Sequence, residues 1–163
     1  PDVGIETRTL GLDAADLAKL GIVRRPEVMA LLAEWDAGSA LGEDTGDRVA
    51  SSSALAVVTV EGSAPADFVR GGAAVEAVWI DAEQHGLAVH PTSPVFLYAR
   101  DPHDVVMLSP RFSDELARRQ ASFRRVVGLL HGESIALVLR LSHTDVVAPR
   151  SRRRPLDEIL STT

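Results

Sequence analysis

The chain has 163 residues, 45% hydrophobic and 25% charged, with no cysteine and a net charge of −6. These values suit one folded domain with a sizeable core. They exclude disorder as the main description, and with it disulfide scaffolds, thiolate metal sites, iron–sulfur clusters and thiol nucleophiles. The charge is uneven: residues 1–110 carry a net −10 and residues 111–163 a net +4. An acidic body with an arginine-rich tail points to a local anion site, because the body would repel a nucleic acid. Aromatic residues make up only 4%, too few for a base-stacking platform. The longest apolar runs, such as 54–58, are too short for a membrane span, and no secretory leader is visible, so a cytoplasmic protein is expected. The first residue is Pro1, which leaves room for a longer chain.

Residues 1–10 read as extended. Asp13 reads as a helix N-cap with Asp16 three residues on, Leu17 and Leu20 on one face, and Gly21 as the stop. Pro26 opens a second helix with the stripe Val28, Leu31, Leu32 and Trp35, ended by Gly38. Residues 39–53, rich in Gly, Ser and Asp, read as a loop with at most a turn of helix. Ala54–Val60 reads as a buried strand. Residues 66–85 predict a long helix. Its Ala73, Ala74, Val75, Ala77, Val78, Trp79, Ile80 and Ala82 leave almost no polar face, so it is expected to be buried against a sheet and a partner. Gly71 and Gly72 weaken that helix, which points to close backbone approach there. Gly86 stops it, Leu87–Val89 is a short strand, and Pro91 and Pro94 predict a rigid turn. Residues 95–110 are ambiguous. Ser113 then caps a helix whose Leu116, Gln120, Phe123 and Val127 share a face, with Arg118, Arg119, Arg124 and Arg125 beside it and Gly128 as the stop. Ile135–Leu141 is a strand, and a short helix over 156–160 closes the chain. This order lacks regular βαβ alternation and predicts an α+β fold.

Two segments carry candidate chemistry. In Pro149-Arg150-Ser151-Arg152-Arg153-Arg154-Pro155, planar guanidinium forks suit a phosphate dianion, and Ser151 adds a hydroxyl and an amide. The alternative is a solvated basic run. In Gly86-Leu87-Ala88-Val89-His90-Pro91-Thr92-Ser93-Pro94, the amides of Thr92 and Ser93 are available to a ligand heteroatom, unless the segment is an ordinary proline-rich connection. His85, His90 and His143-x-Asp145 lack the spacing and the third ligand of a metal site, so no metal is expected. Ser51–Ser53 and Ser109 show no nucleophile elbow. Gly71-Gly72 is not a dinucleotide fingerprint, and Asp101-Pro102-His103-Asp104 reads as a turn. No side chain stands out as a catalytic acid, base or nucleophile.

Taken together, these segments resemble the nitroreductase-like FMN flavoprotein superfamily. The resemblance rests on the strand Ala54–Val60, on the helix from Gly71-Gly72-Ala73-Ala74-Val75 to Ala82-Glu83-Gln84-His85-Gly86-Leu87, and on the proline-containing turn at 91–94. It continues through Phe123-Arg124-Arg125-Val126-Val127-Gly128-Leu129 before the last strand, to the basic stretch Arg150-Ser151-Arg152-Arg153-Arg154-Pro155-Leu156-Asp157-Glu158-Ile159. The chain looks like the second half of a subgroup with two such halves in tandem. The resemblance implies a single domain over 1–163, with a helical part at 1–53 and the sheet, central helix and basic tail at 54–163. It implies a central, mostly antiparallel sheet flanked by helices, with a long buried interface helix. A second half, or a homodimer partner, would pack through helix 70–86.

In the roles the resemblance implies, Arg150 and Arg152 hold the FMN phosphate with Ser151 alongside, and His90, Pro91, Thr92 and Ser93 face the flavin ring near N5. NAD(P)H would then reduce the flavin, which would pass two electrons to a nitro or quinone-like small molecule. The family's N-terminal Arg-x-Ser-x-Arg segment has no counterpart here, and Arg8 is a poor substitute. A completed flavin site is therefore expected to need a partner chain or the other half. The alternative function is a non-catalytic FMN-binding or sequestering domain, or a degenerate nitroreductase-like domain, without turnover.

Overall fold

The computed structural model describes residues 12–145 and 155–158, with the backbone alone at 39–44 and 156. The chain forms two compact units: residues 1–47 together with 145–163, and residues 48–144.

In the first unit, α1 (Ala14–Val23) begins where expected, with the Asp13 carboxylate accepting the Asp16 amide at 2.8 Å. It does not stop at Gly21. A glycine inside a helix costs only about 1 kcal/mol, and Ile22 and Val23 carry the helix on. The stop comes from Pro26, which forces the preceding residue out of the helical region; Arg25 is extended, with φ −92° and ψ 114°. Pro26 then opens α2 (Pro26–Glu34). Val28 and Leu32 of its expected stripe are half-buried, whereas Leu31 and Trp35 are exposed. A short 3-10 turn at Ala37–Ser39 leads into α3 (Ala40–Ala50), where a loop was expected.

The second unit is built on three strands: β1 (Ala54–Glu61), β2 (Leu87–Thr92) and β3 (Glu133–His143). Their order is β1-β3-β2 and both pairings are antiparallel. The central strand β3 pairs with β1 from Ala54↔Leu141 to Glu61↔Glu133, with one irregularity between Val58 and Thr59. It pairs with β2 only from Leu87↔His143 to Thr92↔Val138. Val138 and Leu139 are adjacent, so they point to opposite faces, and both are fully buried. The middle of the sheet is therefore covered on both sides. The architecture is α+β, with an antiparallel sheet.

The strand β2 runs through Pro91 and Thr92, so the rigid turn expected at 91–94 is shorter than the prolines suggested. The reason is position: β2 is an edge strand, where a residue with no N–H is tolerated. The chain turns off the sheet only at Ser93 and Pro94.

The long helix α4 (Pro65–Gln84) joins β1 to β2, and the Asp67 carboxylate accepts the Ala64 amide at its start, at 2.8 Å. It is not buried all round within this chain. Gly71 and Ala82 are buried, whereas Val69 is 74% and Ile80 52% exposed. Most of its apolar character comes from alanines, which bury little surface. Gly71 is where the helix presses on the sheet: a Cβ there would sit 2.7 Å from Ala136 Cβ and 3.1 Å from Val60 Cγ1. Gly72, expected to share that role, faces open space.

The rest of the unit is α5 (Pro102–Leu108) and α6 (Ser113–Val126), with 3-10 turns at Val95–Tyr98 and Pro110–Phe112. Ser113 opens α6 rather than capping it; its hydroxyl donates to the Pro110 carbonyl. Gly86 and Gly128 stop their helices as expected, both at positive φ, 71° and 67°. Few of the described residues are fully buried. Among the described residues, the buried apolar ones are Ala82, Ala99, Val105, Val138 and Leu139. Three strands and one long helix screen only a limited area between them. None of the described helices is long and apolar enough to cross a membrane.

The two adjacent glycines of α4 give opposite expectations. Gly71→Ala should lower stability by about 1–3 kcal/mol through overpacking against Ala136, whereas Gly72→Ala should raise it by up to about 1 kcal/mol through helix propensity. Midpoints of chemical denaturation read both. Equal effects at the two positions would contradict this packing.

Candidate functional site

Two places in the second unit gather polar groups. The first lies where β2 ends. Beyond Thr92 no described strand flanks β3 on the β2 side, so residues 133–137 form a bare edge there. The chain beyond the edge is fixed from α6. Gln120 donates its amide hydrogens to the carbonyls of Phe96, at 2.9 Å, and Ala99, at 2.8 Å. The rings of Phe96 and Phe123 stack at a tilt, 5.4 Å apart. Asp101 caps α5, accepting the Asp104 amide at 2.9 Å. Asp104 in turn accepts both the Arg100 amide and its Nε, at 3.0 and 3.1 Å. Those two bonds hold the Asp104 carboxyl below its ordinary value.

The result is a groove of about 300 Å³ lined by Phe68, Ser93, Leu97, Tyr98, Arg100 and residues 135–137 of the bare edge. A wider hollow of about 450 Å³, which shares Arg100, adds Arg124 and His131. The aromatic walls of the groove suit a flat small molecule, whereas its Arg100 is already paired with Asp104 and Arg124 lines only the wider hollow.

The second place lies on the sheet itself. His90 stands directly opposite Arg140 of β3, which is opposite Leu55 of β1. Partial desolvation, then the positive charges of Arg140 and Arg48, push the His90 imidazole below its ordinary value.

The expected site residues are therefore divided. Ser93 lines the groove, whereas His90 faces Arg140. Pro91 and Thr92 are paired in β2, opposite Leu139 and Val138. Arg150, Ser151 and Arg152 lie outside the described residues. Phe68, Tyr98 and Arg100 were not anticipated. They come from two separate segments, α4 and the stretch after β2, and only Arg124, in the wider hollow, carried a signal, as one of the cations beside the Gln120–Phe123 face.

Asp101-Pro102-His103-Asp104 is not a turn but a helix start, with Asp101 as the N-cap and Pro102 in the first position. Ligating atoms of Asp101, His103 and Asp104 lie within 4.8 Å of one another. Both carboxylates are already engaged, by the α5 cap and by Arg100.

No protein-family model and no solved structure matches the chain. It is 50% identical over 153 residues to the uncharacterized protein MT1398 of Mycobacterium tuberculosis (strain CDC 1551 / Oshkosh). The match covers 94% of this chain and 21% of that protein, so the chain spans about a fifth of the relative's length.

Two measurements probe these places. Gln120→Leu leaves two carbonyls without their donor and should cost about 1–3 kcal/mol of stability, read by thermal or chemical denaturation. For His90, folding disfavours the proton, so the unfolded chain takes it up first, near pH 6.5. The His90 contribution should be constant above that pH and be lost as pH falls through the folded value. His90→Gln should flatten this part of the stability profile; an unchanged slope would remove the assignment.

Proposed function

We propose that the chain is one nitroreductase-like half of an FMN-dependent oxidoreductase, which takes hydride from NAD(P)H and reduces nitro or quinone-like acceptors. The observation that supports this reading is the groove beside Ser93. The resemblance assigns Ser93 to the flavin ring, and Ser93 opens onto a hollow walled by Phe68 and Tyr98. That hollow suits the face of a planar ring system.

Arg150 and Arg152 would take the phosphate. Both lie outside the described residues.

The bound flavin would supply the redox chemistry; the chain's residues would position the ring and hold the phosphate. Solvent would supply protons, because no described acid or base lines the groove other than the Tyr98 phenol. The partner half would pack on α4, where Val69 and Ile80, eleven residues apart and so on one helix face, are exposed.

The lack of a counterpart to the Arg-x-Ser-x-Arg segment favours a second reading, a flavin-binding domain without turnover. One preparation separates the two. Flavin absorbance bands with NAD(P)H oxidation support the enzyme. Flavin bands without oxidation support the binding domain. Colourless protein, with no quenching of added FMN fluorescence even beside its other half, overturns both. Where FMN binds, the double variant Arg150→Ala, Arg152→Ala should weaken it at least tenfold, given about 1.5–3 kcal/mol per charge-assisted hydrogen bond.

A further inference from the structure

Arg140 is half-buried in the central strand. A guanidinium in that position ordinarily meets a carboxylate. Its partner here is neutral: Nε donates to the Ser52 hydroxyl oxygen at 2.8 Å. Ser52 in turn donates a hydrogen bond from its hydroxyl to the Arg48 carbonyl, also at 2.8 Å. The hydroxyl therefore fixes the guanidinium by one nitrogen. The two terminal nitrogens, the ends of the fork, have no partner among the described residues.

His90 lies across the ladder from Arg140 and is exposed. The charged groups that act on it are Arg140, from β3, and Arg48, from the last turn of α3. Both are cations. Arg140, set beside His90 by strand register and held by a hydroxyl rather than an acid, leaves its charge available to an outside anion.

We infer that Arg140 and His90, with Arg48 beside them and Ser52 as the positioning residue, form a binding site for a phosphate-type oxyanion. The free edge of the Arg140 fork matches two oxygens of such a group, and a protonated His90 supplies a donor to a third. A carboxylate would satisfy the fork but offers no third oxygen. The inference does not rest on the flavin reading, since it uses neither the groove nor Arg150 and Arg152.

The test is the titration of the five histidines of the full chain, followed by NMR in chloride, sulfate, inorganic phosphate and acetate at equal ionic strength. Sulfate is included because it stays a dianion across the range. Saturating sulfate or phosphate should raise the His90 apparent pKa by about one unit, while the other four histidines stay where chloride leaves them. By linkage, that shift corresponds to about tenfold tighter sulfate binding with His90 protonated than with it neutral.

Arg140→Gln should abolish the response. Should that variant not fold, Ser52→Ala serves instead, and should weaken the response while keeping the native far-ultraviolet dichroism. An identical His90 titration in chloride and sulfate overturns the site. An equal response to acetate overturns the phosphate class. A shift shared by all five histidines reduces the effect to general screening and overturns it too.

Discussion

The structure of the second unit depends on β3. It is the strand that hydrogen-bonds on both sides, and β1 and β2 have no pairing with each other. Its residues Val138 and Leu139 point to opposite faces and are both shut off from water. The approach of α4 is set against it as well, by the missing side chain of Gly71 beside Ala136. Both candidate sites take their positions from this strand. The groove borders residues 135–137, and the His90–Arg140 pair sits two residues beyond Val138. A change that shifted β3 by one residue would turn Arg140 and Val138 to the opposite face together.

The strands and long helices were legible because their patterns are long and strongly periodic. The bounds of β1, α4 and α6 lie within a few residues of those read from alternation, helical spacing and glycine stops. The misreadings have local causes. In 39–53, glycines and serines mask a helix that Ala40–Ala50 nonetheless forms. Gly21 was given more weight than a single glycine carries, when Pro26 was the stronger signal a few residues on. Asp101-Pro102 was read for its turn chemistry, although an acidic cap followed by proline equally describes a helix start. Pro91 was read as ending a strand because sequence does not say which strand lies at the edge.

The candidate sites were less legible, and for a different reason. Ser93 was singled out, but its neighbours in the groove come from α4, the 3-10 turn after β2 and the edge of β3. Those segments are far apart in sequence, and nothing in their spacing announces that they meet. The His90–Arg140 pair joins residues fifty positions apart through strand register alone. The arginine-rich tail shows the reverse: its composition was plain from the start, and it lies outside the described residues.

The proline in β2 has a consequence for solubility. A sheet of three strands has two outer rims, and each can recruit a strand from another molecule. Along β2, Pro91 offers no hydrogen-bond donor, and the strand is only six residues long. That rim is a poor template for stacking one copy on the next. A substitution that restored the donor, such as threonine, would leave the inner ladder unchanged and make the rim better able to propagate into fibrils.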